Sequence, residues 1–186
     1  MSLEAKDAIF DVLIIGLGPV GSLGAILFAE AGLNVAAIEK EADVYTLPRA
    51  VNLDGEIIRA LQPAGLSTTV QQMMQPLRDG ERAGLANAKR ERLFGVDAQP
   101  IGSNGWQPAN MFDQPELEAF LRQTALSHAN VTAYVGYEMT QLTNDPGQVR
   151  VLARGPDHEV TLKGHYLLDC DGANSPTRKA LGIDWQ

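Results

Sequence analysis

A glycine-rich turn between an apolar run and a helical pattern constrains this chain more than any other feature of its sequence. The apolar run is Val12-Leu13-Ile14-Ile15, which predicts a parallel strand covered on both faces. The turn that follows at once reads Gly16-Leu17-Gly18-Pro19-Val20-Gly21. Apolar and small residues at helical spacing come next and stop at Gly32, a typical residue for a helix C-terminus. A second apolar run over 34–39 completes a predicted strand–helix–strand unit.

The spacing of the three glycines predicts a loop that binds the phosphates of a dinucleotide. Gly16 permits the tight turn, Gly18 lets the main chain approach a pyrophosphate, and Gly21 brings the helix close to the sheet. The helix N-terminus, with Pro19 and Val20 beside it, offers unpaired N–H groups and a partial positive charge to the phosphates. The alternative is a tight strand-to-helix turn without a ligand, which the strand and helix on either side disfavour.

An acidic residue at the end of the second apolar run supports the dinucleotide hypothesis. Glu39 lies 23 residues after Gly16, near the spacing at which such loops place a carboxylate for ribose hydroxyls. A carboxylate there would repel a 2′-phosphate, so NADP bound in this manner is disfavoured. The spacing by itself does not separate NAD from FAD.

Composition and charge exclude several other classes of protein. The chain has 186 residues, enough for one domain, or one and a small second, at roughly 100–200 residues per domain. Fifteen Lys and Arg against 23 Asp and Glu give a net charge of −8, which disfavours nucleic acid and anionic membranes as partners. One cysteine and three dispersed histidines predict neither a disulfide framework nor a metal site. Without a stretch of ~20 apolar residues or a signal peptide, we expect a cytoplasmic protein.

The remaining patterns predict further helices and a small antiparallel meander. A helix over 54–62 would end at Pro63, and another would begin at Asp113, which can cap it. Between these helices, the polar stretch 81–98 predicts exposed antiparallel strands or loop. The strands predicted after them cover 131–135, 138–142, 148–154, 158–163 and 166–170, with a turn at 144–147 and a short final helix at 175–181.

The polar residues near the last predicted strand do not indicate a catalytic site. Asp169 and Asp171 would point in opposite directions on a strand, so they do not predict a catalytic carboxylate pair. Cys170 follows an apolar run and is expected to be a small buried hydrophobe. Ser175 is expected to cap the final helix.

Three segments resemble motifs of the class A flavoprotein monooxygenases, the family of p-hydroxybenzoate hydroxylase. They are Leu47-Pro48-Arg49-Ala50-Val51, Gln114-Pro115-Glu116-Leu117-Glu118 and the Asp-Gly segment Cys170-Asp171-Gly172-Ala173-Asn174-Ser175. The resemblance covers 11–183, and Gly105-Trp106 and Asn130-Val131 make it greatest to the 3-(3-hydroxyphenyl)propionate hydroxylases. It implies an α/β fold with an FAD-binding Rossmann-like parallel sheet, helices and an antiparallel three-stranded meander.

The resemblance also implies which residues bind FAD. Glu39 would hold the adenosine ribose, with Lys40 beside it. Arg49 would lie near the pyrophosphate, because its guanidinium offers a fixed fork of donors. Gln114 would reach the ribityl or flavin end of the cofactor.

The Asp-Gly segment points to the activity that the family carries out. Asp171 and Gly172 would lie beside the dinucleotide, in a motif linked with both FAD and NAD(P)H. The implied reaction is hydroxylation of a small phenolic substrate with O2, after NAD(P)H has reduced the flavin. No catalytic residue is indicated. The alternatives are a non-catalytic dinucleotide-binding fragment and another FAD oxidoreductase on this scaffold, of the halogenase or polyprenyl reductase type.

The family pattern covers only part of what such an enzyme contains. Residues 9–186 would form the N-terminal portion of the FAD/NAD(P)-binding domain, and 81–110 would begin the substrate-binding layer. The sequence lacks the family's second flavin motif, its C-terminal strand and most of the substrate domain. We therefore expect the 186-residue chain alone to bind FAD weakly and to hydroxylate nothing, with an open edge on the strand at 166–170. The sequence leaves the oligomeric state open, a homo-oligomer included.

Overall fold

The computed structural model describes residues 8–78, 82–97 and 101–184, which form two compact units. One unit comprises the described residues up to Val44 and from Glu118 onward, and the other is Tyr45–Leu117. In chain order the strands and helices are β1 (Ile9–Ile15), α1 (Pro19–Glu30), β2 (Val35–Glu39), β3 (Asn52–Leu53), α2 (Gly55–Ala60), α3 (Ser67–Gln72), β4 (Gln75–Pro76), β5 (Arg82–Ala86), β6 (Arg92–Asp97), β7 (Asn110–Met111), α4 (Gln114–Ser127), β8 (Val131–Val135), β9 (Glu138–Asp145), β10 (Gln148–Arg154), β11 (Glu159–Asp169) and α5 (Pro176–Ala180).

The first unit is built on a six-stranded sheet with the order β8-β2-β1-β11-β10-β9. The first four strands are parallel, whereas β10 and β9 run antiparallel to their neighbours. The predicted α/β fold is thus confirmed, with β1, α1 and β2 as the strand–helix–strand unit. The meander of β9, β10 and β11 is continuous with the parallel sheet, because β11 belongs to both.

Strand β11 corrects one detail of the sequence prediction. The two strands predicted at 158–163 and 166–170 are a single strand of 11 residues. Its first half pairs with β10 and its second half with β1. Gly164 breaks the apolar pattern at the junction, and the structure shows why a glycine is there: a Cβ would lie 2.6 Å from Cγ of Leu13.

The core of this unit lies on both faces of the central strands. Leu13 and Ile14 of β1 are fully buried, as are Val35 and Ala36 of β2. Such continuous burial explains why these strands read as unbroken apolar runs, since neither face meets water. No helix among the described residues is long and apolar enough to cross a membrane.

One edge of β11 lacks a strand partner along part of its length. Pairing with β10 stops at Gly164, whereas pairing with β1 continues to Asp169. Over 165–169 the described residues place no strand on the β10 side, and the side chain of Tyr166 is 72% exposed there. This is the stretch for which the sequence predicts an open edge.

The second unit consists of short elements. Asp54 caps α2 by accepting hydrogen bonds from the N–H groups of Glu56 and Ile57 at 3.1 Å. The helix predicted over 54–62 is shorter than expected, because α2 ends at Ala60 and a turn precedes α3, which the sequence did not predict. The strands β5 and β6 form the antiparallel pair predicted within 81–98, whose first and last residues lie outside the described ranges.

Core packing in the parallel sheet should dominate the stability of the first unit. We expect Leu13→Ala to lower the free energy of unfolding by about 2–5 kcal/mol, because it leaves a cavity between packed layers. Ile9→Ala on the same strand is the matched control, since Ile9 is 49% exposed and should cost less than about 1 kcal/mol. Urea denaturation of both variants measures the difference, and equal losses would contradict this account of the core.

Candidate dinucleotide-binding site

Two of the three glycines in the turn are required by packing inside the protein. Gly16 has φ +94°, and a Cβ on it would lie 2.4 Å from the carbonyl oxygen of Cys170. A Cβ on Gly21 would lie 1.9 Å from the carbonyl oxygen of Gly16. Strand β1, helix α1 and the chain after β11 therefore approach each other as bare main chain.

Gly18 has a different environment. Its backbone is extended, with φ −67° and ψ −171°, and a Cβ on it would meet nothing within 4 Å. It is the N-cap of α1, and no side chain of the described residues caps this helix end. Pro19 has no N–H group, and the side chain of Val20 is 70% exposed. Unpaired N–H groups at an open helix N-terminus are a suitable environment for phosphate oxygens, so the loop fits a dinucleotide pyrophosphate.

Glu39 lies at the end of β2 and is nearly buried, with 7% of its surface exposed. Its Oε2 accepts a hydrogen bond from the N–H of Leu17 at 2.6 Å, and its Oε1 accepts one from the N–H of Glu41 at 2.8 Å. A carboxylate has about four acceptor positions, so capacity remains for ribose hydroxyls. Lys40 is exposed, and its Nζ lies 3.7 Å from Oε1 of Glu41. Its role beside the ribose stays a prediction.

Arg122 on α4 completes this arrangement, and the sequence analysis did not identify it. Its guanidinium is almost buried and donates from Nε to the carbonyl oxygen of Leu17 at 3.2 Å. Nη2 lies 3.8 Å from Oε2 of Glu39 and 3.5 Å from Oε1 of Glu118, one helical turn before it. The spacing of Glu118 and Arg122 was visible in the sequence, but such pairs are usually exposed, and nothing marked this one as buried.

The Asp-Gly segment follows β11 and is held by its own side chains. Asp169 accepts hydrogen bonds from the N–H of Asp171 at 3.1 Å and from Oγ of Ser175 at 2.8 Å. Asp171 accepts one from the N–H of Thr177 at 2.9 Å. Ser175 also accepts from the N–H of Arg178, which confirms it as the predicted cap of α5. Gly172 has φ +88°, a conformation that favours glycine.

The side chains of the two aspartates interact, whereas strand alternation predicted that they point in opposite directions. Asp169 is the last residue of β11 and Asp171 lies beyond it, so strand alternation does not separate their side chains. Burial raises the pKa of Asp169, as do a side-chain hydrogen bond with Asp171 and the negative charge of Asp171, and together these outweigh the hydrogen bonds from Ser175 and from the N–H of Asp171, which lower it. Burial acts upward on Asp171 too, but hydrogen bonds from Ser175 and Thr177 outweigh it and lower the pKa.

Cys170 lies between these carboxylates and is only partly buried. Burial raises the pKa of its thiol, and the negative charges of Asp169 and Asp171 raise it further. The thiol therefore stays protonated near neutral pH, which disfavours a role as nucleophile. The described residues include no cluster of His, Cys, Asp and Glu that could hold a metal ion.

Arg49 and Gln114 contact each other in the second unit. Oε1 of Gln114 accepts hydrogen bonds from the N–H groups of Arg49 and Ala50, both at 2.8 Å. Both lone pairs of this oxygen are thereby used, so the amide can offer a ligand only its Nε2 donors. The guanidinium of Arg49 lies 4.6 Å from the ring centroid of Tyr45. The roles predicted for both residues in cofactor binding stay predictions.

The strand, open glycine loop, uncapped helix and buried acid define a dinucleotide-binding domain. The chain belongs to the FAD binding domain family, whose model matches residues 10–186. It is 32% identical over 187 residues to a 3-(3-hydroxy-phenyl)propionate/3-hydroxycinnamic acid hydroxylase from Comamonas testosteroni, with 98% of this chain and 31% of the relative covered. It is 31% identical to the protein of that name from Mycolicibacterium smegmatis, with 94% of this chain and 30% of the relative covered. The chain thus spans about a third of the length of these relatives.

Solved structures share the fold. A p-nitrophenol 4-monooxygenase from Pseudomonas putida superposes with a TM-score of 0.81 at 22% identity, covering 94% of this chain and 44% of its own. An anhydrotetracycline hydroxylase from Streptomyces rimosus gives a TM-score of 0.78 at 26% identity, covering 95% of this chain and 34% of its own.

The different environments of Gly18 and Gly21 lead to opposite expectations for alanine substitution. Gly21→Ala should lower the free energy of unfolding by about 1–3 kcal/mol, because its Cβ collides with main chain that cannot move freely. Gly18→Ala should change it by less than about 1 kcal/mol, because the Cβ enters open space at an N-cap. Thermal and urea unfolding without cofactor compare the two, and a larger loss for Gly18→Ala would disprove the assignment.

The raised pKa of Asp169 predicts a dependence of stability on pH. A carboxyl whose pKa is higher in the folded state stabilises the fold below the ordinary value of 3.8, and this contribution is lost as pH rises through the folded value. Relative to Asp169→Asn, the wild type should therefore lose stability as pH rises from about 3.5 toward neutrality. Denaturant unfolding of both proteins across this range measures their free energies of unfolding. A wild type that gains stability relative to Asp169→Asn as pH rises would contradict the raised pKa.

Proposed function

We propose that this chain binds FAD with its pyrophosphate at the loop over Gly18 and its adenosine ribose at Glu39. The observation that carries the proposal is the open N-terminus of α1 beside a buried carboxylate that keeps free acceptor capacity.

We also propose that the chain is the FAD-binding part of an aromatic-ring hydroxylase. Its substrate would be a small phenolic acid similar to 3-hydroxyphenylpropionate, with NAD(P)H and O2 as co-substrates.

The residues of this chain would bind and orient the cofactor. The first-turn N–H groups of α1 would donate to phosphate oxygens, and Glu39 would accept from ribose hydroxyls. Arg49 would pair with the pyrophosphate, and Gln114 would donate from Nε2 to an oxygen toward the flavin end. Asp171 and Gly172 would line the dinucleotide. When bound, FAD supplies the redox chemistry, which is reduction by NAD(P)H and transfer of an oxygen atom from O2 to the ring.

The proposed substrate class rests on the relatives. Those named above as 3-(3-hydroxy-phenyl)propionate/3-hydroxycinnamic acid hydroxylases are 31–32% identical to the chain over nearly its whole length. The solved relatives named above act on other aromatic compounds, p-nitrophenol and anhydrotetracycline. The shared feature is an aromatic ring, and it defines the substrate class that we propose. The proposal that 81–110 begins the substrate-binding layer rests on the family resemblance alone.

Titration with FAD tests the proposed cofactor site. We expect Gly18→Ala to raise the FAD dissociation constant at least tenfold, about 1.4 kcal/mol, because its methyl group occupies space needed by the phosphates. Arg154→Ala, which removes an exposed ion pair with Glu159, is the control and should leave the constant unchanged. Equal affinity of Gly18→Ala and wild type would disprove the site. Stoichiometric yellow flavin on the purified 186-residue chain would contradict the expected weak binding.

Oxidation of NADH and NADPH tests the proposed reaction on the complete natural polypeptide that contains this chain. We expect 3-(3-hydroxyphenyl)propionate to stimulate oxidation in the presence of FAD and O2, with a product 16 mass units heavier by mass spectrometry, about the mass of one oxygen atom. Stimulation without an oxygenated product would favour another FAD oxidoreductase. No stimulation by any phenolic acid, with FAD bound, would disprove the proposed substrate class.

A further inference from the structure

We propose that Arg122 is a positioning residue that holds the glycine loop and Glu39 in the arrangement that binds the adenosine end of the cofactor. This inference rests on the proposed function, because the ligand it concerns is FAD. Arg122 does not need to touch the cofactor. It would act through main-chain groups on either side of the binding site.

The guanidinium joins the ends of two neighbouring parallel strands. Its Nε donates to the carbonyl oxygen of Leu17, which follows β1, and its Nη1 donates to that of Glu41, which follows β2, at 3.2 and 3.3 Å. The side chain is 9% exposed, so water competes little for these donors. Because arginine presents its donors in a rigid planar fork, fixing one acceptor also restricts the other.

Leu17 is held at both of its main-chain polar groups. Its N–H donates to Glu39 at 2.6 Å, and its carbonyl oxygen accepts from Arg122 and from Oγ of Ser22, the latter at 2.9 Å. That carbonyl belongs to the same planar trans peptide as the N–H of Gly18, so the two groups point in opposite directions. Fixing the carbonyl toward Arg122 therefore fixes the direction of the Gly18 N–H, at the residue whose Cβ would meet open space.

The charges around Arg122 make it possible to distinguish its effect on the stability of the fold from its effect on the position of the glycine loop. Two nearly buried carboxylates, those of Glu39 and Glu118, face this single guanidinium. Glu118 lies one helical turn before Arg122 on α4, and its carboxylate forms an ion pair with Arg122. Loss of Arg122 would leave both carboxylates uncompensated and would destabilise the fold. Neutralising Glu118 as well would remove one of these two charges without replacing the hydrogen bonds to Leu17 and Glu41.

A double variant therefore distinguishes the two effects. We expect Arg122→Met to lower the melting temperature and to raise the FAD dissociation constant at least tenfold. Arg122→Met combined with Glu118→Gln should regain part of the lost melting temperature, because one of the two uncompensated carboxylates is neutral, and should keep the raised dissociation constant. Arg150→Met is the matched control, since it removes an exposed arginine from its pair with Asp145, and should leave both quantities unchanged. A dissociation constant that recovers together with the melting temperature would show that Arg122 is only structural and would overturn the proposal.

Hydrogen exchange keeps the inference testable apart from the cofactor. In the protein without FAD, we expect Arg122→Met with Glu118→Gln to exchange faster over residues 16–21, while residues 148–154 of β10 keep wild-type protection. Unchanged exchange in the loop would overturn the proposal even if FAD binding were weak. If wild type binds no FAD but the loop loses protection, the proposed function fails and the role of Arg122 in positioning stands. If Arg122→Met does not fold, Arg122→Lys serves instead, since lysine keeps the charge but cannot reach both carbonyls with a fixed fork.

Discussion

The hydrogen bond from the N–H of Leu17 to the buried carboxylate of Glu39 is the interaction on which the rest of this site depends. It joins the chain just after β1 to the end of β2, with 2.6 Å between the nitrogen of Leu17 and Oε2 of Glu39. A hydrogen bond to a carboxylate in a protein interior is strong. The same carboxylate would serve the ribose. The group that fixes the loop is therefore also the group that would recognise the sugar, and a distorted loop and a lost ribose contact cannot be separated at Glu39 itself. Arg122 contacts the same loop through the carbonyl oxygen of Leu17 and would affect it without being a ribose ligand itself.

The close approach of bare main chain explains why the glycine loop and the Asp-Gly segment lie side by side. Gly16 lies against the carbonyl of Cys170, and the N–H of Cys170 donates to Ile15. Parallel pairing of β1 and β11 brings their carboxyl ends to the same edge of the sheet, where ligands of open α/β sheets bind. Asp169 at the end of β11 and Asp171 just beyond it then hold the segment in place through hydrogen bonds with Ser175 and Thr177.

Local signals in the sequence predicted most of the fold. The buried strands, the glycine loop, Glu39 and the caps at Asp113 and Ser175 each depend on neighbours in sequence, and the structure places them as expected. The misses involve distant partners. The continuity of β11 depends on β1 and β10 together, and Arg122 meets Leu17 across 105 positions. Because a helical Glu–Arg pair looks the same in sequence whether buried or exposed, only the packed structure identifies it.

The glycines of this chain show how fold and ligand constrain a sequence separately. Most glycines whose surroundings the structure describes either have a positive φ or would bring a Cβ into contact with other atoms. Gly18 alone among them combines an ordinary extended backbone with open space where a Cβ would point. Alanine could occupy that position as far as the protein itself is concerned, so the protein's own packing does not account for glycine there. A ligand that needs the main chain bare would account for it, as we propose for the pyrophosphate of FAD at the N-terminus of α1.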